Sequence, residues 1–169
     1  MILHASLGIT RLGKKRKGYI MKDKSTEVST GELWVRLFST PTIDNYLNEN
    51  GYELPAFSDY INELCQARQE KPGTVIKRGN IEKSYGHRLF SGMRNPSRDT
   101  VLMLAFGFQL TADDTQQLLK VARHTSLHPK VKRDAVIAYG LHSHKTIDEV
   151  QQLLYQNKLP LIGGAKNED

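Results

Sequence analysis

The stretch Lys83-Ser84-Tyr85-Gly86-His87-Arg88-Leu89-Phe90-Ser91-Gly92-Met93-Arg94-Asn95-Pro96-Ser97-Arg98 decides how this chain is read. Residues 83–90 are spaced as a short helix with Leu89 and Phe90 on its inner side. Gly92 stops that helix, because glycine takes the left-handed conformation at little cost. Met93 to Pro96 form a basic loop, and Ser97 is a good cap for a new helix. The outer side of residues 83–88 carries Lys83, Ser84, His87 and Arg88, with Tyr85 beside them. Polar and basic side chains projecting from the start of an exposed helix are what base edges in a major groove require.

Charge is unevenly distributed around this stretch. The 169-residue chain has a net charge of +6. Residues 71–98 alone hold seven basic residues and one acid, whereas residues 23–70 are net acidic and residues 99–169 are balanced. Such a concentration is the electrostatic footprint of a polyanion-binding surface. The first 22 residues add six Lys and Arg, including the run Lys14–Lys17, with no acid.

The hydrophobic content of 38% and aromatic content of 8% suit a small helical core rather than a large sheet sandwich. No apolar run approaches the roughly 20 residues that span a bilayer, so no membrane is expected. A single cysteine, Cys65, cannot form an intrachain disulfide and fits a reducing cytoplasm. It falls on the apolar stripe of its helix and reads as a buried structural thiol.

The helical period runs through most of the chain. Residues 1–29 show none and read as a disordered basic extension, with Met21 as a conceivable alternative start. Residues 30–54 hold two short helices, the first capped by Thr30 with Leu33, Trp34, Leu37 and Phe38 as packing residues. Phe57, Tyr60, Ile61, Leu64 and Cys65 form a stripe at helical spacing. Pro72 opens a second helix of this domain, with Val75 and Ile76 facing in. Gly79-Asn80 makes a tight turn in which both residues tolerate positive φ. Ile81 plugs inward and the third helix follows. Ser97 and Thr111 cap the fourth and fifth helices, giving a five-helix domain over 55–123. Two more helices, 130–142 and 146–157, form a C-terminal hairpin within 124–160, and 161–169 read as a disordered tail. No alternating strand pattern persists, so the fold class is all-α.

An echo at a spacing of 35 joins the last two parts. Arg98-Asp99-Thr100-Val101-Leu102 matches Arg133-Asp134-Ala135-Val136-Ile137, and the segment from Thr111 to Leu119 matches Thr146 to Leu154. The pattern Thr146-x-x-Glu149 is a capping box. Two copies are too few for a solenoid, and the echo reads as a helical extension packed on the core, or as convergence on good helix starts.

Residues 57–106 resemble the Xre/phage-repressor (Cro-type) family of helix-turn-helix transcriptional regulators. The resemblance rests on Ser84-Tyr85, on Leu89-Phe90-Ser91-Gly92-x-Arg94-x-Pro96-Ser97, and on Leu102-x-Leu104-Ala105. It implies a five-helix repressor-like bundle, with short N-terminal helices and a two-helix C-terminal extension added here. It implies sequence-specific binding of double-stranded DNA by a homodimer. By position, Lys83, Ser84, Tyr85, His87 and Arg88 are expected to read bases. Lys71, Gly73, Thr74, Arg94, Asn95, Ser97 and Arg98 are expected to hold the backbone. Three features depart from the family pattern: Gly73 and Gly79 in the second helix, the large Ile76 where the family has a small residue, and Gly86 inside the reading helix. The two glycines of the second helix, with the long helical extension, favour the alternative, a protein-interaction or antitoxin-like module on the same fold, with a protein partner at the N- or C-terminal helices.

No catalytic, cofactor or metal constellation is expected. His124, His128, His142 and His144 lack the helical His pair with an acid used by zinc enzymes. There is no phosphate loop and no nucleophile elbow. Asp113, Asp114, Asp148 and Glu149 sit in first helical turns, where the dipole stabilises them.

Overall fold

A computed structural model of the chain describes residues 28–51 and 53–164. The basic run Lys14–Lys17, Met21 and the last five residues lie outside it. Every regular element among the described residues is helical: α1 (Thr30–Ser39), α2 (Ile43–Asn50), α3 (Phe57–Arg68), α4 (Pro72–Arg78), α5 (Lys83–Phe90), α6 (Arg98–Gly107), α7 (Ala112–Val121), α8 (Lys132–His142) and α9 (Ile147–Gln156). The chain is all-α. It divides at residues 52 and 53 into two compact units.

The first unit is the α1–α2 hairpin. Ser29, one residue earlier than expected, caps α1 by accepting from the Glu32 N–H. Trp34 and Phe38 do not pack into a core. Their rings stack on each other at 5.6 Å and stay 55% and 79% exposed. Eighteen helical residues are too few to enclose an apolar face, and α2 buries none of its side chains.

The second unit has one continuous core. Ile61, Leu64 and Cys65 on α3 are buried as their spacing predicts, with Phe57 and Tyr60 packed against the same cluster. Burial, with a smaller effect from the Glu70 charge, pushes the Cys65 thiol up to about 11, so it stays protonated and inert. Pro72 occupies the first turn of α4, and Val75 and Ile76 point inward.

Gly79 closes α4 instead of weakening its interior. Its φ is −80°, so the turn needs positive φ only at Asn80, where φ is 53°. Glycine is needed at position 79 for another reason: a Cβ there would lie 2.6 Å from the Met103 carbonyl oxygen on α6. Ile76 and Gly86 explain each other. A Cβ on Gly86 would lie 2.7–2.8 Å from three Ile76 side-chain carbons. The oversized residue on α4 fills the space that a side chain on α5 leaves open, so α5 keeps its glycine without breaking.

The 35-residue echo is a structural repeat that begins at Arg98, inside the expected five-helix domain, and ends at Gly163. Each copy is a helical hairpin, α6–α7 and α8–α9, and the local details recur. Thr111 and Thr146 cap the second helices by accepting from Asp114 and Glu149 N–H groups. Gln109 and His144 both take positive φ, 54° and 52°, as do Arg123 and Lys158, 60° and 56°. Gln116 exchanges two hydrogen bonds with the Leu127 backbone, and Gln151 does the same with Ile162. Ile162 is therefore buried and bonded rather than part of a loose tail.

The copies face each other. Arg98 gives a two-pronged pair to Asp134 at 3.0 and 2.9 Å, and Arg133 gives the same pair to Asp99 at 3.0 and 2.9 Å. Each guanidinium also donates to two carbonyls of its own copy, Thr125 and Ser126 for Arg98, Pro160 and Leu161 for Arg133. His128 and Gly163 N–H groups complete the two carboxylates. Residue i meets j and the counterpart of j meets the counterpart of i, which marks a closed two-fold contact rather than one step of an open stack. The C-terminal hairpin is thus the second half of a duplicated unit and shares the core through Ile137, Leu141, Ile147, Val150 and Leu154.

Candidate nucleic-acid interface

Helix α5 is fixed at both ends. At its start the Glu82 carboxylate accepts from the Ser84 N–H at 2.7 Å and the Tyr85 N–H at 2.6 Å. Those two backbone bonds, with a weaker pull from Arg88, hold the Glu82 carboxyl below its usual range. At its end Asn62 on α3 donates to the Phe90 carbonyl at 2.8 Å. Gly92, at φ 75°, turns the chain out of the helix. Between these ends Gly86, Leu89 and Phe90 are buried, which fixes the rotation of the helix about its axis. Lys83, Ser84, His87 and Arg88 are consequently exposed together, while Tyr85 is half-buried with its ring against the core.

The residues expected to hold a backbone divide into two groups. Lys71, Gly73 and Thr74 are exposed at the start of α4, and Arg94 and Asn95 are exposed in the loop after α5. Ser97 uses its hydroxyl to cap α6, accepting from the Thr100 N–H. Arg98 does not belong to the surface set. Its guanidinium is taken up by Asp134 and by the Thr125 and Ser126 carbonyls, and the side chain is 23% exposed. Arg78 is likewise engaged, with Glu70 and the Gly107 carbonyl. Five of the seven cations of residues 71–98 therefore remain exposed: Lys71, Lys77, Lys83, Arg88 and Arg94.

Lys77, one of the seven cations of residues 71–98, is exposed on α4 and adds to the expected backbone contacts. Glu82 places an acid at the head of α5, on the two N–H groups that a phosphate would otherwise approach. Removing it should strengthen attraction to a polyanion. Glu82→Gln is expected to raise the affinity for duplex DNA roughly fivefold at low salt, with the gain shrinking as salt screens the charge. A binding titration at two salt concentrations checks this.

Behind α4 lies a cleft of about 710 Å³ whose lining includes Thr74, Lys77, Asn80 and Asp148. Asn80 donates to the Asp148 carboxylate at 2.7 Å and ties the turn before α5 to the head of α9. The second hairpin thereby braces the element that carries the candidate reading helix. His124 sets its ring nitrogen 2.9 Å from the Pro96 carbonyl and fixes the loop after α5. Among the described residues no group of three His, Cys, Asp or Glu side chains is placed to hold a metal ion. No described helix is long and apolar enough to cross a membrane. Comparison with protein-family models, with curated proteins and with solved structures finds no match to this chain.

Proposed function

We propose that the chain is a sequence-specific double-stranded DNA-binding protein of the Xre helix-turn-helix type, a transcriptional regulator that acts as a repressor in the form of a homodimer. In this reading α4 and α5 are the helix-turn-helix pair and α5 enters the major groove. The observation that carries it is the joint exposure of Lys83, Ser84, His87 and Arg88 on one face of α5, flanked by the exposed Lys71, Lys77 and Arg94. Lys83 and Arg88 suit guanine O6 and N7, and Ser84 can serve several bases. Lys71, Gly73, Thr74, Arg94 and Asn95 are the proposed backbone contacts, which position without specifying. Tyr85, propped against the core, offers its edge to a thymine methyl or a phosphate. A two-fold operator demands two copies of the motif, hence the homodimer.

Three of the four misfit residues are compatible with this reading, since Gly79 ends α4 and Gly86 is matched by Ile76. Selection of bound sites from random duplex DNA tests it: recovery of a two-fold symmetric consensus is expected. A protein-interaction role on the same fold is the second reading, favoured by the exposed apolar side chains of α1 and α2. Failure to enrich any sequence, with no DNA binding at low salt, would decide for it.

A further inference from the structure

The repeat shows that one surface of this chain lacks the cover its twin has. Val101, Leu104 and Leu118 of the first copy are 0% exposed, sealed in the core cluster together with residues of α3, α4 and α5. Their counterparts 35 residues on are Val136, Tyr139 and Leu153. Val136 and Leu153 are only half-buried, and Tyr139 is 57% exposed. With Ala135 and Asn157 they line a shallow groove of about 300 Å³. The backbone that accepts apolar helices on the first copy is thus repeated on the second, with nothing over it among residues 53–164.

The large exposed apolar side chains fall into two main sets. Trp34, Val35, Phe38, Ile43 and Leu47 belong to α1 and α2, and Val131, Tyr139, Tyr155 and Leu161 belong to the second copy and its flanks, Tyr139 lining the groove itself. Charge separates the sets in a complementary way. Residues 29–51 carry Glu32, Asp44 and Glu49 against one cation, Arg36, whereas the exposed Lys132 lies a turn ahead of Val136 and the exposed Lys158 follows Asn157. Two copies of the α8–α9 face pressed together would oppose these lysines, so the acidic hairpin is the better occupant.

We propose that the α8–α9 groove takes the α1–α2 hairpin of a second copy of this chain, each protomer giving its hairpin to the other. Such an exchange covers both apolar surfaces of both chains and closes at two, as an isologous contact must. It deepens the homodimer part of the proposed function by naming the surfaces, and it is independent of what α5 reads.

Trp34 is the sole tryptophan of the chain and reports directly on the contact. The full chain is studied by light scattering and by Trp34 emission across a dilution series, without DNA. A dimer is expected, with blue-shifted emission that moves to the red as dilution halves the mass. Tyr139→Glu and, separately, Phe38→Glu change exposed side chains, so helix content should be unchanged while the mass falls by half and the emission shifts red. Three results would overturn the proposal: a dimer that survives both substitutions, dissociation without a change in Trp34 emission, or blue-shifted emission in a monomer at every concentration. The first of these leaves a two-fold DNA-binding protein standing with a different interface, and loss of DNA binding alone leaves the exchange standing.

Discussion

Gly86→Val is expected to destabilise the protein by about 2–3 kcal/mol, and adding Ile76→Ala should return most of that loss. The contact behind this is specific. Any Cβ at position 86 lies 2.7–2.8 Å from Ile76 Cγ1, Cγ2 and Cδ1, and both residues are buried in the seam between α4 and α5. Two more branched carbons cannot enter without pushing α5 away from α4. Ile76→Ala alone should cost about 2–5 kcal/mol, because it leaves a cavity over a residue that has no side chain to fill it. The double substitution puts the volume on the other helix and restores the packing. Urea unfolding of the four proteins gives the coupling: at unchanged slope, the double variant should be more stable than either single one. Simple addition of the two losses would show that the helices do not meet through these residues.

Asp134→Ala is expected to cost about 3 kcal/mol. The carboxylate, 8% exposed, receives two bonds from Arg98 and one from the His128 N–H, so its removal strands a guanidinium that water reaches poorly. Asp99→Ala should cost less, since Asp99 is 28% exposed and water can enter where its carboxylate stood. A double-mutant cycle of Arg98→Ala with Asp134→Ala should recover part of the loss, because it removes the stranded charge along with the pair. The pair formed by Asp99 also ties stability to pH. Burial pushes the Asp99 carboxyl up, but the Arg133 hydrogen bond, the Gly163 N–H and the Arg133 and Arg98 charges together bring it below its ordinary value of 3.8. A carboxyl lowered in the folded state gives stability that is fully present above its unfolded value and is lost as pH falls through its folded one. Unfolding midpoints from pH 5 downward should therefore drop less steeply in Asp99→Asn than in the parent.

The sequence made the helices legible, but not their partners. The stripe on α3 and the caps at Ser97, Thr111 and Thr146 are local signals, and the structure has them in place. The echo of 35 residues was visible as a string. Its two-fold pairing was not, since Arg98 and Asp134 stand 36 residues apart and carry no apolar period. For the same reason Arg98 resembled a surface clamp. Gly86 looked like a defect because its complement, Ile76, lies on another helix. The cap at Glu82 is not legible because Ser, Thr, Asp and Asn are the usual caps. Trp34 and Phe38 read as packing residues because an amphipathic period looks the same whatever surface covers it. On the candidate DNA face, the exposed side of α5 followed from two anchors, Leu89 and Phe90, which set its rotation.

The most direct test of the proposed DNA-reading face compares the parent with Lys83→Ala/Arg88→Ala on a duplex recovered by selection, over a series of salt concentrations. Both side chains are exposed, so the helix signal should not change. A loss of at least about 2 kcal/mol in specific binding is expected, together with a shallower salt dependence as two cations leave the interface. Unchanged affinity and an unchanged salt slope would contradict the proposed reading.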